Sequence, residues 1–311
     1  MRVRVLDLDG SITAQQKLLR QFRPDVVPLR KWGPRIRLAC RWGRFRKFER
    51  ALARRLTQTD EPCLNFCGSG DFHHVTLALL RKVPGPVNLL IIDKHPDWMR
   101  GVPILHCGTW LHHVSRLPQV RSIFHVGGDL DFDNAYRWLA PVPLLRSGRL
   151  TVFPANRRFN GRLWERVPHE PIRPTLNGVM SERRLDRLLM PHRAALASCP
   201  LYVSLDKDVL TASEAPVNWD SGELIFDEIR RVLRTFCAAA RNQVAGVDVV
   251  GDWSPVVTQG WLRSVLHYME HPSLHLDPRL ACQRNEELNT ELADLFTQII
   301  SVSAQPARLA A

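Results

Sequence analysis

Two short segments place carboxylates and an imidazole at alternating positions directly after apolar runs. The first reads Leu89-Leu-Ile-Ile-Asp93-Lys-His95-Pro-Asp97 and the second Leu201-Tyr-Val-Ser-Leu-Asp206-Lys-Asp208. In an extended chain residues i and i+2 face the same side, so Asp93 converges with His95, and Asp206 with Asp208, while Lys94 and Lys207 point away. Asp97 continues the first series if the chain stays extended. Carboxylates gathered in this way repel one another unless a cation neutralises them. Carboxylate and imidazole together suit Mn, Fe or Zn, and the excess of carboxylates leans towards Mn. Four carboxylates with two histidines can hold two divalent ions, and such a pair makes a bound water acidic enough to supply hydroxide near neutral pH. A lone aspartate at a strand end is more simply a cap or turn residue, but two such patterns in one chain argue for chemistry.

The elements that would carry these residues are legible as short runs rich in Val, Ile and Leu alternating with helical patterns. Strands are expected at Val3–Leu6, Cys63–Cys67, Val87–Ile92, Ser122–Val126, Leu150–Phe153, Leu201–Leu205 and Val244–Val250, and helices near 74–82, 181–197, 223–241, 257–269 and 285–300. This alternation predicts an α/β fold of three layers, an open and mainly parallel sheet with helices on both faces. Ligands of such sheets gather beyond the carboxyl ends of the strands, where both acidic segments fall. Residues 1–302 read as a single domain with a basic helical segment near 17–56. Residues 154–180 read as a long loop, and 303–311 as a flexible tail.

Among 311 residues, 45% are apolar, ample for a sizeable core, yet no apolar run is long enough to span a bilayer. The N-terminus lacks the pattern of a secretory signal, and the seven scattered cysteines form no CxxC pair. A cytoplasmic protein without a disulfide framework is expected. The formal charge of +12 is concentrated between Lys17 and Arg55, where only Asp25 and Glu49 oppose the basic residues and Trp32, Trp42, Phe45 and Phe48 are interleaved. This stretch reads first as an amphipathic helix docked by its aromatics. An acidic peptide or protein partner comes second, and nucleic acid third.

Asp93-Lys-His95-Pro-Asp97 resembles the D-x-H-x-D ligand motif of the arginase and agmatinase family of ureohydrolases. Ser204-Leu-Asp206-Lys-Asp208 resembles that family's S-x-D-x-D segment, Ala215-Pro216 and Gly222-Glu-Leu224 echo the stretch that follows it, and Gly70-Asp-Phe-His73-His74-Val-Thr-Leu77 resembles G-G-D-H-S-V-T-L. The resemblance implies an arginase-like fold with two Mn ions held by His73, Asp93, His95, Asp97, Asp206 and Asp208, His74 being the reserve for His73. It further implies that Asp93 and Asp206 bridge the ions, and that Asp97 holds a hydroxide that attacks a guanidinium carbon and releases urea. The family's proton-transfer histidine falls near Leu105-His106-Cys107-Gly108; aligned on the glycine it meets Cys107, with His106 one residue earlier as the acid/base candidate. Asp252, in Val247-Asp248-Val-Val-Gly-Asp252-Trp-Ser-Pro255, is the candidate acid for the guanidinium. Asn218-Trp219-Asp220-Ser221 replaces a loop of small residues, so Trp219 would roof the pocket and stack on a planar cation, with Asp220 beside it. These departures point to a divergent branch that includes enzymes converting arginine within ribosomally made peptides to ornithine. A guanidino-containing small molecule or peptide is the expected substrate, and the basic stretch would hold an acidic segment of a peptide.

Three rival readings stand beside this one. Val5-Leu-Asp7-Leu-Asp9-Gly-Ser11 resembles the first motif of haloacid-dehalogenase phosphatases, with Asp7 as nucleophile, Asp9 as general acid, and Asp129, Asp131 and Asp133 as possible Mg ligands. A single-metal deacetylase on the same fold would need a catalytic tyrosine from Tyr136, Tyr202 or Tyr268. The third is a metal-stabilised binding protein without activity.

Overall fold

The computed structural model describes residues 1–56, 59, 61–100, 103–127, 139–155, 170–173, 178, 180–257, 265, 271 and 276–303. Asp129, Asp131, Asp133, Tyr136 and Tyr268 lie outside these residues, as do most of 154–180, nearly all of the expected helix at 257–269, and residues 304–311.

In chain order the strands are β1 (Arg2–Asp7), β2 (Asp25–Pro28), β3 (Ala39–Arg41), β4 (Cys63–Phe66), β5 (Val87–Asp93), β6 (Ile104–His106), β7 (Val120–Gly127), β8 (Leu150–Phe153), β9 (Leu201–Asp206) and β10 (Val244–Val250). Eight of them form one sheet in the order β2-β1-β4-β10-β9-β5-β7-β8, and every pairing in it is parallel. The seven expected strands are all present. β3 and β6 form a separate antiparallel pair in which Ala39 faces His106.

All residues of β5 and β9 are buried, as the centre of a sheet covered on both sides requires. Side chains alternate between two cores. Leu90 and Ile92 of β5, Val203 and Leu205 of β9, and Val247 and Val249 of β10 enter one core with helices Glu182–Leu189, Phe226–Ala239 and Pro278–Ser303. Leu89 and Ile91 of β5, Tyr202 of β9 and Ile123 of β7 enter the other, under helices Trp42–Ala53, Val75–Leu80 and Trp110–Val114. The fold is therefore three-layered.

Two expectations need correction. Residues 17–56 are not one helix: Gln16–Phe22, Gly33–Ile36 and Trp42–Ala53 are helical, and β2 and β3 run between them. The helix expected over 181–197 is interrupted at Met190–His192, where Pro191 offers no amide hydrogen and its ring crowds the preceding turn.

Candidate metal centre

Register decides which acids meet. β5 and β9 are neighbours, with Ile92 opposite Leu205, so the next residues, Asp93 and Asp206, leave the sheet side by side. Beyond Asp206 the chain turns into a 3-10 segment, Lys207–Val209, whose first amides are capped by the Asp206 carboxylate: Asp208 N donates to its Oδ1 at 3.1 Å. That turn swings Asp208 back towards β5, where its Oδ1 accepts from Lys94 N at 3.2 Å. After β5 the ligand loop is pinned by His125, buried on β7, whose Nε2 lies 3.1 Å from the His95 carbonyl. Burial first, and the charged His73 and His95 nearby, push His125 down to about 3; it is neutral and donates through Nε2.

The structure brings six of the expected residues together. His73 Nδ1 stands 3.1 Å from Asp93 Oδ2, 3.1 Å from Asp97 Oδ2 and 3.4 Å from Asp206 Oδ2. His95 Nδ1 stands 2.8 Å from Asp208 Oδ2 and 3.9 Å from Asp93 Oδ1. Two metal-sized triads result, His73-Asp93-Asp206 and Asp93-His95-Asp208, and they share Asp93. His74 turns the other way and packs against Phe45, ring centres 6.0 Å apart.

The surroundings orient these donors. His73 Nε2 donates to Ser204 Oγ at 3.0 Å, and Ser204 Oγ donates to Asp248 Oδ1 at 2.8 Å, as Thr76 Oγ1 also does at 2.8 Å. With Nε2 committed to Ser204, His73 turns Nδ1 to the carboxylates; on losing the Nδ1 proton it would present a lone pair there, the arrangement that a ligating histidine takes. Asp97 sits at φ +50°, an uncommon conformation for a residue with a side chain, and its Oδ2 accepts from Trp110 Nε1 at 2.5 Å.

The electrostatics ask for a cation. Burial, then the neighbouring carboxylates, raise the pKa of Asp93, Asp206 and Asp208. Burial opposes charging of His73 and His95, but Asp93 and Asp97 around the first, and Asp208 and Asp220 around the second, outweigh it and hold both well above the usual histidine range. Asp93 Oδ2 is buried, and the polar group that the structure places against it is His73 Nδ1 at 3.1 Å. Nitrogen and carboxylate oxygens converging on shared space fit divalent metal ions.

The outer residues divide. Trp219 stands edge-on to His95 at 5.5 Å and donates from Nε1 to Asp71 Oδ1 at 3.2 Å. Asp220, largely exposed, pairs with Lys94 and lies 3.5 Å from His95 Nε2. The His95 hydrogen bond, ahead of opposing burial and reinforced by Lys94, lowers the Asp220 pKa. His106 Nδ1 accepts from Gly108 N at 3.0 Å, so the neutral ring carries its proton on Nε2. A side chain started at Gly108 would lie 2.6 Å from Met99 Cε, 3.4 Å from that Nδ1 and 3.7 Å from Asp97 Oδ1, so His106 and Asp97 both border this glycine. Asp252 is not brought there. It is fully buried and its carboxylate is taken by Lys207 Nζ at 2.6 Å, Gln15 Nε2 at 2.6 Å and Asn289 Nδ2 at 3.1 Å. At the end of β10 the residue that faces the cluster is Gly251, where a Cβ would lie 2.6 Å from Asp206 Oδ1.

Sequence reasoning missed a layer behind the site. Arg37, within the basic stretch, is buried, and it donates to Asp71 Oδ2 at 2.7 Å, Pro255 O at 3.0 Å and Ser254 Oγ at 3.0 Å. His271 Nε2 reaches Asp71 Oδ1 at 2.8 Å and stacks edge-on against Trp219 at 4.5 Å. Nothing in the spacing distinguishes Arg37 from the exposed arginines around it.

No family model matches the chain. A protein of Thermotoga maritima described as uncharacterised is 22% identical over 254 residues, covering 82% of this chain and 81% of that protein. The arginase of Helicobacter pylori superposes with a TM-score of 0.51 at 15% identity, over 96% of this chain and 99% of that one. This is the arginase fold. The arginase of Bacillus cereus gives the same TM-score at 12% identity, over 95% and 98% of the two chains. The arginase-like sheet is thus nearly complete here although little of the sequence is shared.

Proposed function

We propose that the chain is a two-metal hydrolase of a guanidino group that releases urea. The observation that carries this reading is the pair of triads sharing Asp93, set at adjoining strand ends of an arginase-like sheet. His73, Asp93, Asp97 and Asp206 would hold one ion, and Asp93, His95, Asp206 and Asp208 the second, Mn being the best match to so many carboxylates. Bound there, the metals would supply Lewis acidity and an activated water. The chain's own groups do the rest. Asp97, steadied by Trp110, orients the attacking water through a hydrogen bond. His106 donates from Nε2 to the departing amine. Trp219 forms an aromatic wall beside His95 against which a planar guanidinium stacks, and Asp220, paired with Lys94, borders it at the exposed rim. Asp252 takes no part in substrate binding on this reading. The substrate class that we favour is arginine within a peptide, converted to ornithine, because the wall and rim differ from the small-residue loop of ordinary arginases.

No helix among the described residues is long and apolar enough to cross a membrane. All seven cysteines are free thiols, which supports action in the reducing cytoplasm.

The phosphatase reading is poorly supported by its own residues. Asp7 Oδ1 is occupied by Arg30 Nε at 2.6 Å, and Asp9 accepts from Ser11, Ser69 N and Ser254 Oγ, so both fasten loops. Tyr202, the described tyrosine, is buried in the core and offers nothing to a deacetylase.

The test is urea release from arginine, agmatine and arginine-containing peptides by enzyme loaded with Mn, alongside metal content per chain. Two ions per chain and a peptide that loses the mass of one cyanamide unit are expected. One ion or none, with no urea from any of these, would leave a binding protein in place of an enzyme.

A further inference from the structure

Exposed basic residues are spread along the N-terminal region, at Lys17, Arg20, Arg23, Arg30, Lys31 and Arg35 among others, and their densest run lies on one helix. Trp42–Ala53 buries Phe45, Phe48 and Leu52 and exposes Arg44, Arg46, Lys47 and Arg50, with Arg41 before it and Arg54 and Arg55 after it. Its single acid, Glu49, is partly buried and taken by Arg81 at 2.7 Å. Among the described residues none of Arg44, Arg46, Lys47 and Arg50 forms an ion pair with a carboxylate. The hydrogen bonds of Arg44 and Arg50 go to the backbone carbonyls of Arg35 and Arg46.

One short helix connects this face to the metal centre. Trp110, at its start, donates to Asp97. Within a turn, the His113 ring lies 4.6 Å from Trp42, the first residue of the basic helix, and the Arg81 guanidinium lies 6.0 Å from the same Trp42 ring. Exposed Arg100 and Arg116 continue the charge around His112, and Arg100 follows Asp97 by three residues. A helical turn rises about 5.4 Å, so the basic face begins on the order of 10 Å from the ligand acids.

A guanidino compound is itself a cation, and a face of this sign repels it. A positive face this close to the centre suits instead an acidic part of the same substrate. We propose that the face formed by helix Trp42–Ala53 with Arg81, Arg100 and Arg116 is a docking site for an acidic segment of the polypeptide whose arginine enters the metal centre. The docking stands on charge and position alone; only its link to turnover rests on the guanidino-hydrolase reading. An extended chain advances about 3.3–3.6 Å per residue, so the acids would lie several residues from the reactive arginine.

The experiment uses the full chain loaded with Mn and a fluorescent peptide of alternating Glu and Ser, followed by anisotropy. Affinity is expected to fall steeply with added salt. It should fall by about tenfold or more in Arg44→Glu/Arg46→Glu/Lys47→Glu/Arg50→Glu, and by a smaller factor in the gentler Arg44→Gln/Lys47→Gln, both with unchanged circular dichroism. Salt-independent binding, equal affinity in the folded variants, or a single-stranded oligonucleotide of equal charge that binds more tightly and expels the peptide would each overturn the proposal. With an arginine peptide bearing an acidic extension, the same variants should raise KM and leave both kcat and agmatine turnover unchanged. Peptide binding that depends on the helix, without urea release from any substrate, would uphold the docking face and remove the chemistry.

Discussion

His73 shows how a residue acquires its function from what stands behind it. Its Nε2 is tied through Ser204 to Asp248, and this fixes which nitrogen faces the acids. Replacing Ser204 with Ala removes the relay with little change in volume. Mn affinity should drop about 10–100-fold, read by calorimetric titration, while the fold persists. Unchanged affinity would mean that the ring is oriented by packing against Trp110 alone. The same cluster dictates a pH dependence. In the metal-free fold, burial and mutual repulsion raise Asp93, Asp206 and Asp208, so their stabilising contribution is complete below the ordinary carboxylate pKa and is lost as pH rises through the folded values. His73 and His95, also raised, lose theirs in the same direction at higher pH. A divalent ion bound at this cluster would replace those protons. The rise in melting temperature on adding Mn should therefore be small near about pH 5 and grow towards about pH 8, and a rise that is flat with pH would show that the ion does not sit among these groups.

At the scale of elements, spacing revealed the partners but not the path between them. Alternation put Asp206 and Asp208 on one side of the chain, but they fall in different triads: Asp208 arrives by a 3-10 turn rather than along a strand, and Asp97 is itself left-handed rather than part of an extended chain. The long apolar strands were legible because both faces are buried. β3 and β6 were not, having three residues each and pairing with each other, although β6 ends in His106 and holds it opposite Ala39. Arg37 and His271 were invisible because their partners come from distant loops. The strand ends also impose a requirement that composition does not express. Gly251 follows β10 at φ +98°, and any Cβ there meets the Asp206 carboxylate. Gly251→Ala should cost on the order of 1–3 kcal/mol in a chemical melt and weaken Mn binding as Asp206 is displaced. Wild-type metal affinity in this variant would exclude Asp206 as a ligand.

The whole molecule is stitched across one sheet end by a buried charge pair that sequence alignment had cast as part of the substrate site. Lys207 points away from the clustered carboxylates, where its Nζ meets Asp252, Asn285 at 2.6 Å and Asn289 at 3.1 Å, and Gln15 completes the set from the turn after β1. Segments near residues 15, 207, 252 and 285–289 thus share one network with no exposed member among Gln15, Lys207, Asp252, Asn285 and Asn289. Removing one charge strands the other: Asp252→Asn should destabilise the fold by about 3–5 kcal/mol, whereas Lys207→Met/Asp252→Leu, which removes both, should cost far less. A guanidinium-binding acid would behave in the opposite way. Asp252→Asn would then melt like wild type and lose activity, and the double variant would lose it as well. Urea and thermal denaturation of the two variants, set against their turnover of agmatine, separates a strut from a substrate ligand. The committed hydrogen bonds of Asp252 favour the strut, so any activity lost in the single variant should return when it is assayed at a temperature where it is fully folded.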